Sequence, residues 1–530
     1  MGSKKLQIAL PLLLAVMVVV GMMIGYGLRN NTVGDKFLNT TKRSSLTEVL
    51  DLVDKKYVDK VKTDSIAQVV IQDVLSHLDP HSLYIPASNL RDVNEDLMGN
   101  FQGIGIEFQM FNDTLNVTNV IKNGPSDKAG LQVGDEIIKV NDSVSLAGKN
   151  VKLEDIRKQL RGGSGSSVKV TLLRDGKLID VVIKRGNIPV STIDAAYIIA
   201  PQTGYIRINK FGERTYEEFM QSLEKLQKDS IKKLVLDLRG NGGGLMQQAT
   251  NIADEFLSGD KLIVYTQGDK SPRTEYRCKK DGVFETGELV VLVDETSASA
   301  SEVLTGALQD WDRATIIGRR TFGKGLVQQQ FNLRDGGALR LTVARYYSPL
   351  GRNIQKPYFN KSKREYEEEL YDRFHDGEVV TGDTSKPKGP AFKTPKGHIV
   401  YGGGGITPDI FVPYDTSKVE DAIIKMYYKN TLNNFVYQYY VHNKPAFANV
   451  KTTADLEKQF VPGEKEWLQL SNLAAKDSIN LKNVPAKDKA NLLNRIQALL
   501  ARQIWRSEGY YEVLNQNDEI VKKSLDVIKQ

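Results

Sequence analysis

The sequence predicts a multidomain protein that combines the α/β and α+β classes, with a largely parallel α/β core. Its 530 residues are too many for one ordinary domain. Over residues 188–350, apolar strand patterns alternate with amphipathic helix patterns, which is typical of a parallel sheet covered by helices. Short strands and turns precede this core, and helical patterns lie at both ends of the chain. The predicted regions are 1–30 (apolar segment), 40–98 (helical), 99–187 (strand-rich), 188–414 (core) and 415–530 (helical).

The composition is that of a globular protein with an apolar core. Hydrophobic residues make up 40% of the chain and charged residues 26%. A net charge of +7 without a long basic block indicates an ordinary surface, so we expect no nucleic-acid partner. Cys278 is the single cysteine, which excludes an intrachain disulfide.

The N-terminal region contains an apolar run from about residue 8 to residue 28, preceded by Lys4 and Lys5. This length is close to the roughly 20 residues that span a bilayer. A cleaved signal peptide has a shorter apolar stretch and a small-x-small site, whereas this run ends in bulky residues such as Met22 and Tyr26. We therefore favour an uncleaved anchor over a cleaved signal or a buried helix. The preceding lysines predict a single-pass inner (cytoplasmic) membrane protein with its main part outside, which is the periplasm if the source is a Gram-negative bacterium.

The regions before the core have distinct periodicities. Within 40–98, "SLTEVLDLVDKKYVD" and "DSIAQVVIQDVLSHL" have the three- and four-residue spacing of helices, and "LDPHSLYIP" then ends the pattern. The strand-rich region follows with "GIGIEFQM" and "DTLNVTNVI" as strands and "KLEDIRKQL" as a helix. A hairpin turning at Asp175 and Gly176 completes it. This pattern predicts a compact module of about ninety residues.

In the core region, the pattern predicts strands that alternate with helices. "GYIRINKF" is a strand and "YEEFMQSLEKLQKD" a helix; "KKLVLDLRG" is a buried strand followed by the helix "LMQQATNIADEFL". "GELVVLVDE" and "ATIIGR" are two further strands. The region 415–530 contains amphipathic patterns such as "KANLLNRIQALLARQIW", which predict helices.

Ligands of α/β layers gather where loops leave the carboxyl ends of parallel strands, and two such loops are unusual here. The first is residues 240–244, "GNGGG", after the strand "VLDLR". Its glycines can turn backbone N–H groups toward a phosphate or the oxyanion of acyl transfer. A phosphate loop would end in Gly-Lys-Ser/Thr, whereas this one continues Gly244-Leu245-Met246. A flexible tight turn is the alternative interpretation.

The second loop is "DETSASASEVLTGALQD", in which Ser297, Ser299 and Ser301 alternate with alanines. A serine at a strand-to-helix turn can project its hydroxyl into a cleft as a nucleophile. The same serines could simply cap the helix that starts near Ser301. The sequence of this segment alone does not distinguish a nucleophile from a helix cap.

A nucleophilic serine needs a base, and no histidine lies within the α/β pattern. Burial can move a lysine toward its neutral form, which makes Lys324 in "RRTFGKGLVQQQF" a candidate. Gly323 and Gly325 flank it, and Gln328 could hydrogen-bond its amine. A surface lysine in a hairpin is the alternative. The five histidines are His77, His81, His375, His398 and His442.

Four motifs taken together, "LDLRGNGGG", "SASASEVLTGALQD", "FGKGLVQ" and "GRNIQKPY", resemble those of the carboxyl-terminal processing peptidases, or tail-specific proteases. The resemblance covers roughly residues 45–415. It implies a serine endopeptidase core with crotonase-like or Clp-like layers at 188–414, and a PDZ domain inserted at 99–187. It also implies a Ser–Lys dyad that uses no metal or cofactor. With the predicted orientation of the anchor, the catalytic part would lie on the extracytoplasmic side.

The resemblance assigns roles residue by residue. Ser299 is the expected nucleophile, Lys324 the base and Gln328 the residue that orients the lysine. Glu302 and Asp310 match acidic positions with supporting roles. The oxyanion hole is expected to use the backbone N–H of Ala300 and of a loop glycine. Because this loop reads Gly-Asn-Gly-Gly-Gly where relatives often have proline or serine after the asparagine, either Gly243 or Gly244 could be the second donor.

The segment "GNFQGIGIEF" resembles a PDZ carboxylate-binding loop. Backbone N–H groups near Gly103 and Gly105 would capture a C-terminal carboxylate, and the peptide would add as a strand. The expected partners are proteins or peptides with exposed C-termini; a homo-oligomer or an adaptor is a further partner class, and the anchor would contact the membrane. The side-chain pocket is expected to use Ile104, Ile106, Ile156 and Leu160, although apolar residues such as these equally form ordinary core.

Overall fold

The computed structural model describes residues 15–23, 45–111, 113–142, 144–146, 148, 151–382, 389–415 and 420–529. They divide into two compact units, Met1–His77 and Leu78–Gln530. The predicted class is confirmed: the protein mixes helices and sheets and contains both an α/β core and a strand-rich module.

The first unit contains three described helices. They are α1 (15–23), α2 (Ser45–Lys56) and α3 (Thr63–Ser76). In α2, Glu48 lies in the first turn and Lys55 and Lys56 lie in the last, so the charges at both ends interact favourably with the helix dipole.

The prediction of a single-pass inner-membrane protein is wrong. Among the described helices, none is long and apolar enough to cross a membrane. Of the predicted anchor, 8–28, the structure describes only the nine helical residues 15–23, and the rest lies outside the described residues.

The second unit contains twenty-one strands and fourteen α-helices among its described residues. The helices are α4 (Ala87–Met98), α5 (Pro125–Lys128), α6 (Leu153–Leu160), α7 (Thr215–Gln227), α8 (Met246–Asp254), α9 (Ala300–Asp310), α10 (Lys363–His375), α11 (Glu378–Thr381), α12 (Asp421–Tyr428), α13 (Thr431–Asn443), α14 (Thr453–Gln459), α15 (Glu464–Lys476), α16 (Ala486–Leu514) and α17 (Glu519–Lys529). The strands are β1 (Leu83–Ile85), β2 (Asn100–Gly103), β3 (Ile106–Phe111), β4 (Thr114–Val120), β5 (Glu136–Val140), β6 (Val144–Ser145), β7 (Ser167–Arg174), β8 (Lys177–Lys184), β9 (Gly186–Pro189), β10 (Ile193–Ala200), β11 (Thr203–Ile208), β12 (Lys233–Asp237), β13 (Leu262–Gln267), β14 (Thr274–Arg277), β15 (Glu288–Val293), β16 (Thr315–Gly318), β17 (Leu326–Asn332), β18 (Ala338–Tyr347), β19 (Ala391–Lys393), β20 (Ile399–Tyr401) and β21 (Ile410–Phe411).

The core is built on a six-stranded sheet with the order β10-β11-β12-β15-β16-β21. All neighbours from β11 onward are parallel, and only β10 is antiparallel. Helices α7, α8 and α9 pack their apolar faces on it, so that Phe219, Ile252 and Leu304 are fully buried in one cluster. Because β12 and β15 are neighbours, the loops that follow them leave the same edge of the sheet.

A second sheet carries the segment that follows β16. It is antiparallel, with the order β1-β18-β13-β14 and with β17 paired to β18. The short strand β1, from the segment "LDPHSLYIP", pairs with β18 and was not predicted from the sequence. The long β17–β18 hairpin brings Lys324, which lies just before β17, toward the first sheet.

The strand-rich module is a separate sheet with its own core. Its order is β3-β4-β5-β7-β8, with β6 beside β5 and with β3 at an edge. Leu115, Ile137 and Leu172 are fully buried between this sheet and helix α6, which contributes Ile156. The apolar alternation of these strands thus builds a core of its own.

The C-terminal helices contact both the module and the core. In the kinked helix α16, Arg506 donates to the carbonyl of Thr118 in β4 (3.3 Å), and Glu508 accepts from the amide of Ala196 in β10 (3.2 Å). Asp518 accepts from Arg239, directly before the glycine loop, at 2.8 and 2.9 Å. This region therefore holds the module and the base of the loop together.

Candidate active site

The glycine loop and the serine segment meet at one cavity of about 490 Å³. The loop follows β12 and the serines follow β15, so adjacency of the two strands brings the two loops together. The second sheet supplies the opposite wall. The lining includes Gly242, Gly243, Gly244, Ser299, Ala300, Lys324, Gln328, Arg340 and Tyr346.

The three serines have different environments. Ser297 is fully buried, and its hydroxyl donates to the carbonyl of Leu238 (2.8 Å). Ser301 is also buried and donates to the carbonyl of Asn241 (2.9 Å). Ser299 is partly exposed and lines the cavity. Two serines therefore fasten the segment to residues 238–241, where the glycine loop begins, and one faces the space where a substrate would lie.

The backbone of Ser299 does not fit an ordinary helix cap. Its φ is 56° and its ψ −114°, whereas cap residues have extended backbone. The amide of Ser301 donates to the carbonyl of Ala298 (3.1 Å), which closes a four-residue turn. Positive φ with this ψ at the second position makes it a type II′ turn, where glycine is favoured. A serine held there is strained, as is common at functional sites.

Glu302 joins the serine segment to the lysine segment. It is buried, and its carboxylate accepts from the amides of Ser299 (2.8 Å), Gly323 (2.7 Å) and Lys324 (2.8 Å). The hydroxyl of Thr321 donates a fourth hydrogen bond (2.5 Å). Burial raises the pKa of Glu302 to about 7, although all four donors favour its charged form. The sequence-predicted supporting residue thus fixes the backbone on both sides of the cavity.

Lys324 lies in the loop before β17, partly buried. Its Nζ donates to Oε1 of Gln328 at 3.4 Å, the contact expected from the sequence. Burial lowers the pKa of Lys324, and the nearby guanidinium of Arg340 lowers it further. Glu302 and Asp79 act in the opposite direction. The environment therefore favours the neutral amine that a general base requires.

The glycine loop packs directly behind Ser299. A Cβ on Gly243, whose φ is +96°, would lie 2.6 Å from the carbonyl of Ala298 and 2.7 Å from Cβ of Ser299. The amide of Gly243 donates to Oδ1 of the buried Asn241 (2.9 Å). Within the described part of the chain, the amides of Gly244 and Ala300 have no acceptor. Of the two glycines named from the sequence, Gly244 is therefore the better candidate for an oxyanion donor.

Asp310 does not line the cavity. It is buried ten residues beyond Ala300 along α9, where it accepts from the amide of Leu350 (2.9 Å) and pairs with Arg352 (2.5 Å). It therefore supports the loop that carries "GRN" rather than the reacting groups.

Three residues of the site were not predicted from the sequence. The hydroxyl of Tyr346 donates to the carbonyls of Ser299 (3.2 Å) and Lys324. Arg340 adds positive charge beside the lysine, and Asn241 holds the glycine loop. Tyr346 and Arg340 lie in a strand of mixed polarity with no motif to mark them; Asn241 stood within the glycine motif, where its side chain could have been considered.

No histidine lines this cavity among the described residues. His81 contacts the site residue Gln328 through its backbone carbonyl, but its ring points elsewhere: Nε2 is 3.1 Å from the hydroxyl of Tyr366. Burial, with a contribution from Lys324, lowers the pKa of His81 to about 4. His77 is exposed and lies 3.9 Å from Asp73. A Ser-His-Asp arrangement therefore has no geometric support here.

The strand-rich module contains a candidate peptide groove. Strand β3 is an edge strand, so a peptide could add beside it. The amides of Ile104 and Gly105 have no acceptor in the described part of the chain, and the φ of Gly105 is +77°. Gly103 pairs with Gly186 in the β2–β9 ladder. Of the four predicted pocket residues, Ile106 is partly exposed, whereas the core contains Ile104, Ile156 and Leu160.

Three family comparisons match separate parts of the chain. Residues 202–361 match Peptidase family S41, and residues 102–184 match the PDZ domain. Residues 422–506 match a family of unknown function, DUF8443.

Curated relatives match the same central region. A carboxy-terminal-processing protease of Bartonella bacilliformis is 37% identical over 325 residues, which are 60% of this chain and 74% of the relative. A probable CtpA-like serine protease of Staphylococcus aureus is 36% identical over 323 residues, 60% of this chain and 64% of the relative. The chain thus spans less than two thirds of the length of that relative. Among solved structures, the photosystem II D1 C-terminal processing protease aligns with a TM-score of 0.36 and 27% identity, over 69% of this chain and 92% of that one.

Proposed function

Because the chain belongs to peptidase family S41, we propose that it is a serine endopeptidase with Ser299 as nucleophile and Lys324 as general base. One observation carries this proposal: the serine and the lysine line one cavity, together with the backbone amides of Ala300 and Gly244. Nucleophile, base and oxyanion donors are the groups that acyl transfer requires.

The proposed reaction begins with neutral Lys324. Its Nζ accepts the proton of the Ser299 hydroxyl, and Oγ attacks the carbonyl carbon of a peptide bond. The oxyanion that forms accepts hydrogen bonds from the amides of Ala300 and Gly244, which can lower the barrier by about 3 kcal/mol per donor. The protonated lysine then gives its proton to the leaving amine. Water, activated by the same lysine, hydrolyses the acyl-enzyme.

We propose that the PDZ domain selects the substrate. A C-terminal carboxylate would bind the amides of Ile104 and Gly105, and the residues before it would pair with the edge of β3 that no described strand occupies. The substrates would be proteins with exposed, mainly apolar C-termini, cleaved at or near the tail. An oligomer or an adaptor stays a prediction from the sequence.

The dyad is tested by Ser299→Ala and Lys324→Ala, with the exposed residues Ser88 and Lys361 changed to alanine as matched controls. We expect each dyad variant to lose about 10³-fold or more in kcat/KM on a peptide substrate, and the controls to retain the wild-type rate. Wild-type rates in both dyad variants would reject the mechanism.

Tail recognition is tested with two peptides that differ only at their C-terminus, one a free acid and one an amide. Binding and cleavage of the free acid should exceed those of the amide, since the amide lacks the charge that the two backbone N–H groups bind. Equal cleavage of both would reject carboxylate capture. Binding without turnover, in folded wild-type protein, would instead indicate a PDZ adaptor on an inactive protease fold.

A further inference from the structure

The segment "LDPHSLYIP" forms a tight turn built on Asp79. This buried carboxylate accepts from the amides of His81 (2.8 Å) and Ser82 (2.9 Å), and from the hydroxyl of Ser82 (2.6 Å). It also accepts from the hydroxyl of Thr342 in β18 (3.0 Å), whose amide donates to the hydroxyl of Ser82 (3.1 Å). One carboxylate thus closes the turn and fastens it to β18.

Thr342, through which the turn is attached to β18, lies opposite Gln328. Thr342 is the register partner of Gln328 across the β17–β18 hairpin, and the register shifts between Val327 and Gln328. Such an irregularity re-aims a side chain. From the anchored turn, the carbonyl of His81 accepts from Nε2 of Gln328 at 2.5 Å.

This carbonyl determines which end of the amide faces the base. A carbonyl oxygen can only accept, so the NH₂ group of Gln328 must face His81. The amide oxygen then faces Nζ of Lys324, at 3.4 Å. An acceptor in that place orients the amine, whereas an NH₂ group there would donate to the lone pair with which the neutral amine must accept the serine proton.

We propose that Asp79 is a positioning residue for the general base: it holds the 79–82 turn so that the His81 carbonyl fixes Gln328, which in turn orients Lys324. This inference rests on the proposed function and extends it to a segment that no dyad motif includes. Asp79 does not line the cavity, so its effect passes through the turn and through its charge.

The charge of Asp79 predicts a measurable change in the pKa of Lys324, in addition to the positioning effect. Among the described residues, the charged or titratable groups near Lys324 are Arg340 and Tyr346 on β18, Glu302 on α9, and Asp79 and His81 in the turn. Asp79 raises the pKa of Lys324, whereas Arg340 lowers it. Asparagine at position 79 can still accept from the two amides of the turn but carries no charge. The amine should then lose its proton at lower pH, a shift that loss of turn stability alone does not cause.

The test measures kcat and KM against pH for wild type, Asp79→Ala, Asp79→Asn and Asp335→Asn. Asp335 is the matched control: it accepts from Tyr84 (2.6 Å) at the far turn of the same hairpin. We expect Asp79→Ala to lower kcat about tenfold or more with KM changed less than twofold, because the base is misoriented rather than the substrate lost. Asp79→Asn should recover most of kcat, with its rising limb at lower pH than wild type. Asp335→Asn should keep the wild-type profile.

Two results would overturn the inference. One is that the Asp79→Ala variant folds and has the wild-type kcat. The other is that the rising limb of the Asp79→Asn pH profile lies at the same pH as that of the wild type, or at a higher pH. If Asp79→Ala does not fold, the Asp79→Asn limb decides alone. Ser299→Ala is assayed in parallel. If Ser299→Ala retains the wild-type turnover, the proposed function itself fails. If the activity requires Ser299 but is unchanged by substitution of Asp79, only this inference is rejected.

Discussion

The strained turn at Ser299 predicts that glycine is a more stable replacement than alanine. Both Ser299→Gly and Ser299→Ala remove the hydroxyl, so both should lack activity. They differ in the backbone: alanine keeps a Cβ at φ 56° and ψ −114°, and glycine adopts this conformation freely.

The difference can be estimated from two opposing terms. A non-glycine residue at such a position costs about 1–3 kcal/mol. Glycine loses more backbone entropy on folding, which costs about 0.5–1 kcal/mol relative to alanine. The net expectation is that Ser299→Gly unfolds with a free energy about 1 kcal/mol higher than that of Ser299→Ala, or a melting temperature about 2 °C higher.

Thermal and urea unfolding of the two variants measure this difference, with Ser301→Gly and Ser301→Ala as the control pair. Ser301 lies in helix α9, where glycine should instead be the less stable variant by about 1 kcal/mol. The same order in both pairs, with alanine more stable at position 299, would refute the strain argument.

Three further predictions concern neighbouring groups. Gly243→Ala should destabilise the core by about 2 kcal/mol or more, because its Cβ would lie 2.6 Å from a carbonyl; Gly242→Ala, where nothing lies within 4 Å, should be close to neutral in urea unfolding. Lys324→Met should be more stable than wild type at neutral pH. The pKa of Lys324 is lower in the folded protein than in the unfolded chain, so the unfolded chain binds more protons between the folded pKa and about 10.4. The free energy of unfolding of the wild type therefore rises with pH through this window. The stability advantage of the methionine variant should shrink over the same window. Glu302→Gln turns an NH₂ group toward buried donors and should lower the free energy of unfolding by about 2 kcal/mol; wild-type stability would contradict this.

Much of the core could be predicted from local patterns. Apolar strands alternating with helices predict a parallel sheet, and the two loops rich in glycine and serine fall at the ends of β12 and β15, which the structure places side by side. Short-range periodicity suffices here because consecutive elements of such sheets are often neighbours.

Long-range pairing could not be predicted in the same way. Asp79 and Gln328 are 249 positions apart, and nothing in "LDPHSLYIP" indicates that it adds a strand beside β18. Tyr346 lies in an ordinary strand pattern, and only the fold brings its hydroxyl to two loop carbonyls.

The hydrogen bonds of Glu302 go to the backbone around the base and not to its amine. A carboxylate near a lysine normally stabilises the ammonium, yet here its oxygens accept three backbone amides and the hydroxyl of Thr321. The amine is left with Gln328 as its only acceptor among the described residues, and an uncharged amide orients Nζ without the attraction of an anion. The same four bonds fix the positions of Ser299 and Lys324 relative to each other. One buried carboxylate thus joins the two segments of the dyad without a hydrogen bond to the amine, and its Coulombic effect, which raises the pKa of Lys324, is opposed by burial and by Arg340.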